Sequence, residues 1–192
     1  MTKTLLSLFD FSGRWSRPYV EAGWDVYQVD IKLGIDILSL EPCDLPPKID
    51  GILAAPPCTD FAGSGAQYWK AKDLDGRTEH SLALLDKTLS LVRHYEPVFW
   101  ALENPVGRLP TLRPEIGKPW YFNPNEFAGW LEGECYTKRT GLWGVFNKPE
   151  KLALPVSGTS PIMSLGGKSE RTKELRSMTP LGFAYAFYNS NH

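Results

Sequence analysis

Histidine and cysteine are both scarce, with three of each in 192 residues. Cys43, Cys58 and Cys135 cannot all pair among themselves, their spacing matches no zinc pattern, and His80, His94 and His192 are too scattered to complete one. A disulfide framework and a structural metal site are therefore not expected, and the thiols read as reduced. Long apolar runs are also missing: none approaches the ~20 residues that a bilayer span requires. The start, Met1-Thr2-Lys3-Thr4, leads straight into a strand-like segment and lacks a signal peptide's layout. A cytoplasmic protein without a membrane partner is the expectation. Internal repeats and low-complexity tracts are absent, which leaves one domain with a substantial core, or one domain plus a small appendage.

An excess of charge is missing overall, since the net charge is −1. Its distribution is uneven. Residues 1–136 hold 13 Lys/Arg against 19 Asp/Glu, and residues 137–192 hold 8 against 3. A basic last third on an acidic body suggests contact with a polyanion there, the plainer alternative being a solvated basic surface.

Apolar runs at Thr4–Phe9, Trp24–Asp30, Gly51–Ala55 and Val98–Leu102 read as strands. A helix is expected from about Ser16 to Ala22, with Gly23 placed to end it. Another is expected from Ser81 to Tyr95, where Leu82, Leu85, Leu89 and Val92 recur at helical spacing and Pro97 stops the run. Gly34–Ile37 reads as a short strand or turn. Residues 59–76 read as a mobile loop, 140–146 as a late strand, 155–176 as a basic loop, and Leu181–Tyr188 as a docking helix. Strand and helix alternate, so the fold class is α/β with a mostly parallel sheet. The division expected is a catalytic domain over 1–149, a reduced basic recognition segment over 150–176, and a C-terminal helix over 177–192 that returns to the body.

Ligands of open α/β sheets sit beyond the carboxyl ends of the strands. Gly13 falls in the turn after the first strand, where a backbone approaches a ligand closely. Asp30 ends the second strand, where an acid accepts hydrogen bonds from ribose hydroxyls, and Asp36 lies close enough to take an exocyclic amine. Each residue also has a local use, Gly13 as a plain turn and the two acids as caps. A single glycine argues against a phosphate cradle and for a ligand without phosphates, such as S-adenosylmethionine.

Two further elements carry chemistry. Pro56-Pro57-Cys58 follows one strand, and Glu103-Asn104-Pro105 follows another about 45 residues later. In one parallel sheet, both would arrive at the same edge. Cytosine C5 is a poor nucleophile until a thiolate adds to C6, and that needs a cysteine held against the ring face. Addition also needs a proton or hydrogen bond at N3, which a carboxylic acid provides. In a duplex the base must first be rotated out of the stack. Cys58, stiffened by two prolines, suits the nucleophile, and Glu103, ending an apolar strand, suits the acid. The plainer readings are a buried structural cysteine and a salt-bridge acid. Cys43 and Cys135 have no comparable context.

Taken in order, Phe9 to Gly13, Asp30, Gly34-Ile35-Asp36-Ile37, Pro56-Pro57-Cys58 and Glu103-Asn104-Pro105 resemble the DNA cytosine-5 methyltransferase family over residues 4–108. The resemblance implies a Rossmann-like fold with helices on both faces, S-adenosylmethionine as methyl donor without a metal, and DNA as partner. It further implies base flipping, Cys58 as nucleophile and Glu103 on N3. Expected on the cofactor are Phe9, Asp10, Gly13, Trp15, Asp30, Ile31, Asp36, Ile37 and Pro56. Expected on the substrate are Pro57, Ser64, Asn104, Lys168, Arg171, Lys173 and Arg176. Arg139, in Thr137-Lys138-Arg139-Thr140, loosely matches a later Gln-x-Arg-x-Arg element and is expected at the flipped base or backbone.

The sequence departs from that family in two places. The family's Phe-x-Gly-x-Gly loop reads Phe9-Asp10-Phe11-Ser12-Gly13, so only its last glycine stands. The region where the family carries a sizeable recognition domain is reduced to about residues 150–176. Short or relaxed sequence specificity follows, or help from a homodimer or an accessory specificity protein. The compactness resembles short methyltransferase-like proteins of bacteriophages. Three other readings stay open: action on free cytosine nucleotides or single strands, an inactive module that binds nucleic acid or a partner protein, and transfer of a group other than methyl.

Overall fold

The structure is a computed structural model that describes residues 2–131, 133–157 and 170–192. Its centre is a six-stranded sheet of β1 (Thr4–Leu8), β2 (Asp25–Val29), β3 (Gly51–Ala54), β4 (Phe99–Pro105), β5 (Trp120–Phe122) and β6 (Thr140–Val145), in the order β2-β1-β3-β4-β6-β5. The first four run parallel; β6 is antiparallel to β4, and β5 is antiparallel to β6. The α-helices are α1 (Arg17–Glu21), α2 (Trp69–Leu74), α3 (Arg77–Tyr95), α4 (Leu109–Leu112), α5 (Glu170–Ser177) and α6 (Leu181–Ser190).

Side chains alternate across a pleated strand, so each face gathers every second residue. One face carries Leu5, Leu53, Phe99, Ala101 and Leu142, all buried against Trp15 and Tyr19 around α1 and against Phe183 and Phe187 of α6. The opposite face carries Leu6, Leu8, Ile52 and Ala54, buried with Leu84 and Leu91 of α3. Helices therefore cover both faces, and β1 and β3 are buried along their whole length apart from Thr4, as a parallel sheet requires. This is the Rossmann-like α/β arrangement expected.

The aromatic cluster on the α6 side joins distant parts of the chain. Phe183 stacks on Phe122 with ring centroids 4.1 Å apart, and Phe127 meets Phe183 edge to face at 5.4 Å. Gly182 lets α6 approach that closely, because a Cβ there would sit 2.4 Å from the Phe127 carbonyl oxygen. α3 begins after Gly76 at φ 82° and ends at Glu96 at φ 43°, just before Pro97.

Two readings from sequence are corrected, a third is decided between its strand and turn alternatives, and one strand is added. Residues 59–76 are not a mobile loop: Gly63–Tyr68 forms a 3₁₀ helix that runs into α2. Gly34–Ile37 is not a strand: Asp30 and Asp36 each accept a hydrogen bond from the amide two residues on and open short 3₁₀ helices at Ile31–Leu33 and Ile37–Ser39. Within the expected basic loop 155–176, residues from Glu170 onward belong to α5. The short strand β5 was not expected; its Trp120 and Phe122 pair with Leu142 and Thr140.

Candidate active site

Parallel pairing sets where the two reactive elements meet. Ala54 lies opposite Leu102, so the chain leaving β3 runs beside Glu103 on β4. Pro56 is buried, and its carbonyl accepts a hydrogen bond from Asn104 Nδ2 at 3.1 Å. Asn104 is fully buried, and its Oδ1 has no protein partner among the described residues. The Cys58 carbonyl then accepts from the amides of Phe61 (3.0 Å) and Ala62 (2.8 Å), which closes a tight turn under the thiol.

That turn is stitched to the segment after Glu103. Ala62 bridges Gly107, the Gly63 amide donates to the Val106 carbonyl at 2.9 Å, and the Arg108 amide donates to the Phe61 carbonyl at 2.9 Å. Arg108 Nε donates to the Asp60 carbonyl at 3.0 Å, and its fork grips Asp73 at 2.8 and 2.9 Å. The Asp60 carboxylate accepts from Ser81 Oγ at 2.6 Å and pairs with Lys72 at 3.1 Å, both cation and anion being buried. The nucleophile loop is thus held from three sides.

Burial pushes the Glu103 carboxyl above its ordinary range, and the Lys138 ammonium partly offsets this. Burial also pushes the Cys58 thiol up; Glu103 adds to the rise, Lys138 opposes it, and Asp60 adds a smaller rise. Cys58 and Glu103 therefore lie within electrostatic reach of each other and share one cation. Both favour their neutral forms in the resting site.

That cation is Lys138, the neighbour of Arg139. β6 runs antiparallel to β4 with Leu142 opposite Glu103 and Thr140 opposite Pro105. Residues 138, 140 and 142 share a face with Glu103 by the period-2 rule, and Arg139 goes to the other face. There its exposed guanidinium lies 4.6 Å over the Tyr121 ring, Tyr121 being paired with Gly141.

A cleft of about 380 Å³ opens past the ends of β1 and β2, its nearest approach in sequence to Cys58 being Ala55. Phe9, Asp10 and Asp30 line it, and Ala55 carries it toward Pro56. Phe9 turns at φ 60°, which swings the chain out of β1. The buried Asp10 carboxylate accepts from Ser16 N (3.1 Å), Ser16 Oγ (2.8 Å) and Ser7 Oγ (3.0 Å), and so holds the loop closed. Gly13 sits at φ 64° against the Gln28 side chain, where any larger residue would be strained. Phe11, Arg14 and Lys32 form more of the wall, and Glu174 to Thr179 close the far side.

Several expected residues fall elsewhere. Trp15 is 1% exposed and packs on Phe183 and Phe187 of α6, away from the lining of the cleft. Ile37 is buried in the core under α3, not in the cleft. Asp36 is exposed and accepts from its own Leu38 amide, and Ile31 is 70% exposed; neither lines the cleft. Pro57 and Ser64 are exposed on the loop after β3. Lys168 lies outside the described residues, and so do the side chains of Arg171 and Lys173 on α5. Arg176 stands exposed near the end of α5, where its carbonyl accepts from Lys138 Nζ at 2.9 Å.

No family model matches the chain, and no curated protein is similar to it. Among solved structures, the chain is similar to that of a candidate DNA modification methyltransferase encoded within an E. coli prophage, at 19% identity and a TM-score of 0.52. The match covers 81% of this chain and 53% of that one, so the chain spans about half the length of that protein. The likeness is one of fold. Among the described residues, no cluster of three or more His, Cys, Asp or Glu could hold a metal ion, and no helix is long and apolar enough to cross a membrane.

Sequence reasoning missed Lys138, Arg14, Lys32 and Glu174. Counting outward from a strand at residue 140 would have put Lys138 and not Arg139 on the inner face. The other three depend on how α5 docks, for which no local signal exists.

Proposed function

We propose that the protein is an S-adenosylmethionine-dependent methyltransferase that modifies C5 of cytosine in DNA. The observation that carries this is the delivery of Cys58 and Glu103 from adjacent parallel strands to one edge, together with a cleft past the ends of β1 and β2. The fold shared with the prophage protein, described as a DNA modification methyltransferase, supports it.

The cleft fits the cofactor. Its volume lies in the range of ~300–1,000 Å³ typical of small-molecule sites. One oxygen of Asp30 takes the Lys32 amide at 2.8 Å, and the other has no partner among the described residues and can accept from ribose hydroxyls. Phe9 offers an apolar face, and Glu174 and Asp30 supply negative charge suited to a sulfonium. When bound, S-adenosylmethionine supplies an electrophilic methyl group.

The chain's own residues do the rest. The Cys58 thiol gives up its proton, and its sulfur bonds to cytosine C6. The Glu103 carboxyl, whose hold on its proton burial strengthens, hydrogen-bonds N3 as an acid and takes the charge that develops as the C5–C6 double bond opens. With bound S-adenosylmethionine supplying the methyl group, C5 would pass its proton, as the thiol passes its own, to water acting as base, and the electron pair left at C5 would re-form the C5–C6 double bond and expel the sulfur as thiolate. Asn104 holds the Pro56 carbonyl and so aims the diproline turn. The basic residues of 137–192, Arg139 and Arg176 among them, contact phosphates; Lys168, Arg171 and Lys173 are proposed for the same role. With so small a recognition region, specificity is short or relaxed, and a homodimer or accessory protein would extend it. A cytoplasmic location suits such an enzyme.

Incubation with tritiated S-adenosylmethionine and duplex DNA tests this. Label should appear on 5-methylcytosine, and Cys58→Ser should abolish it while still binding the cofactor. Label on adenine, or undiminished transfer by Cys58→Ser, contradicts the proposal.

A further inference from the structure

Lys138 has no assigned task in this chemistry, yet with α5 it connects the two halves of the site. Lys138 precedes β6 on the face it shares with Glu103, and its Nζ donates to the Arg176 carbonyl at 2.9 Å. The last carbonyls of a helix lack intrahelical partners and carry partial negative charge, so this end of α5 is a natural seat for an ammonium. Two residues earlier on α5, Glu174 pairs with Lys32 at the wall of the cleft. Two residues past the helix, the Thr179 carbonyl accepts from Arg14 Nε at 2.9 Å, and Glu134 joins Arg14 (2.5 Å) to the Gly182 amide (3.2 Å). Residues 174–182 thus touch the cleft on one side and hold the site's cation on the other.

We propose that Lys138 is a positioning residue for the Cys58–Glu103 pair, seated by the carboxyl end of α5 so that docking of α5 on the cleft and poising of the thiol are linked. The proposal rests on the methyltransferase reading only for the identity of the cleft's occupant. The charged groups that act on Cys58 are Glu103 from β4, Asp60 from its own loop and Lys138 from ahead of β6. Two are acids, so among these charges Lys138 is the one that favours the thiolate, helped by a backbone hydrogen bond at Cys58 itself. The Lys32–Glu174 pair is half-exposed, so its direct electrostatic contribution is small.

The test is the pH dependence of Cys58 alkylation by iodoacetamide, read by peptide mass spectrometry, with exposed Cys43 as internal reference. Lys138→Gln keeps a group able to donate to the Arg176 carbonyl and removes the charge. It should raise the alkylation midpoint by roughly half a pH unit or more, which slows alkylation about threefold at fixed pH on the rising limb. Lys138→Arg should restore the midpoint. Glu174→Gln, far from the thiol in sequence, should raise it by a smaller amount. Saturating S-adenosylhomocysteine should lower it in the wild type and not in Lys138→Gln. An unmoved midpoint in folded Lys138→Gln overturns the role of Lys138, and an unmoved midpoint in Glu174→Gln overturns the link through α5. Failure of S-adenosylhomocysteine to bind in calorimetry counts against the cofactor reading, while the ligand-free comparisons still decide this proposal.

Discussion

Gly107 is where the nucleophile loop and the strand bearing Glu103 come closest. A Cβ at this position would lie 1.9 Å from the Phe61 carbonyl oxygen, 2.7 Å from its carbon and 2.9 Å from Ala62 Cα. All three are backbone atoms, so no side chain can yield. Gly107→Ala must push the two segments apart by more than about 1 Å to regain contact distance. That separation breaks the hydrogen bonds from Gly63 to Val106 and from Arg108 to Phe61, both 2.9 Å. Overpacking costs roughly 1–3 kcal/mol, and each lost hydrogen bond adds about 1 kcal/mol. A net loss of about 3–5 kcal/mol lowers the melting temperature by roughly 6–20 °C for a chain of this size. The displacement falls on the turn that aims Cys58, and a misplacement of about 1 Å can slow chemistry ~100-fold. Gly65→Ala is the matched control, since its nearest atom beyond the chain neighbours is the Thr59 carbonyl oxygen at an ordinary 3.6 Å. Thermal melts by circular dichroism and single-turnover methyl transfer measure both effects. A Gly107→Ala protein that melts within a degree of wild type and transfers at the wild-type rate refutes the reasoning, as does equal damage from Gly65→Ala.

Because burial raises the Glu103 pKa in the folded state, the folded protein holds a proton that the unfolded chain releases at lower pH. Stability from this group is fully present below the unfolded carboxylate pKa and is lost as pH rises through the folded value. Glu103→Gln should therefore gain on the wild type in melting temperature between acid and neutral pH; a constant difference across that window contradicts the raised pKa. Phe183→Ala removes a fully buried ring stacked at 4.1 Å on Phe122 and should lose about 3–5 kcal/mol in urea unfolding, whereas a loss below about 1 kcal/mol would show that α6 is not part of the core. Asp30→Ala should weaken S-adenosylhomocysteine binding about tenfold or more in calorimetry, as expected for a lost charge-assisted hydrogen bond, and unchanged binding would move the cofactor away from β2.

What the sequence made legible was the half of the molecule built from local signals. Short apolar runs ending in Asp30, Pro56 or Glu103 read as buried strands because β-strand chemistry is written within a few residues, and α3 read as a helix because its leucines recur at helical spacing. The turn chemistry of residues 59–76 misled: Gly63 and Gly65 suggest mobility, while the order there comes from Asp60, Lys72, Ser81 and Arg108, which meet only after folding. Trp15 looked like a ligand contact because it follows the glycine turn. Its burial is decided by Phe183 and Phe187, far along the chain. For α5, Glu170-Arg171-Thr172-Lys173-Glu174-Leu175-Arg176 is composed mostly of strong helix formers, so that signal was present and was outweighed by the glycines before it. Lys138 was legible too, since the late strand expected from residue 140 does begin at Thr140, and alternation counted back from it puts Lys138 on the face of Glu103.

The account stands on sulfur bonding to a cytosine carbon. Duplex DNA carrying 5-fluorocytosine takes the methyl group at C5 but offers no proton there for a base to remove, so the bond from Cys58 to C6 should persist. Incubation of this DNA with the protein and S-adenosylmethionine should yield a denaturant-stable protein–DNA species whose cross-linked peptide contains Cys58, absent from Cys58→Ser. A protein that methylates ordinary cytosine yet leaves no such species, or one linked through another residue, contradicts it.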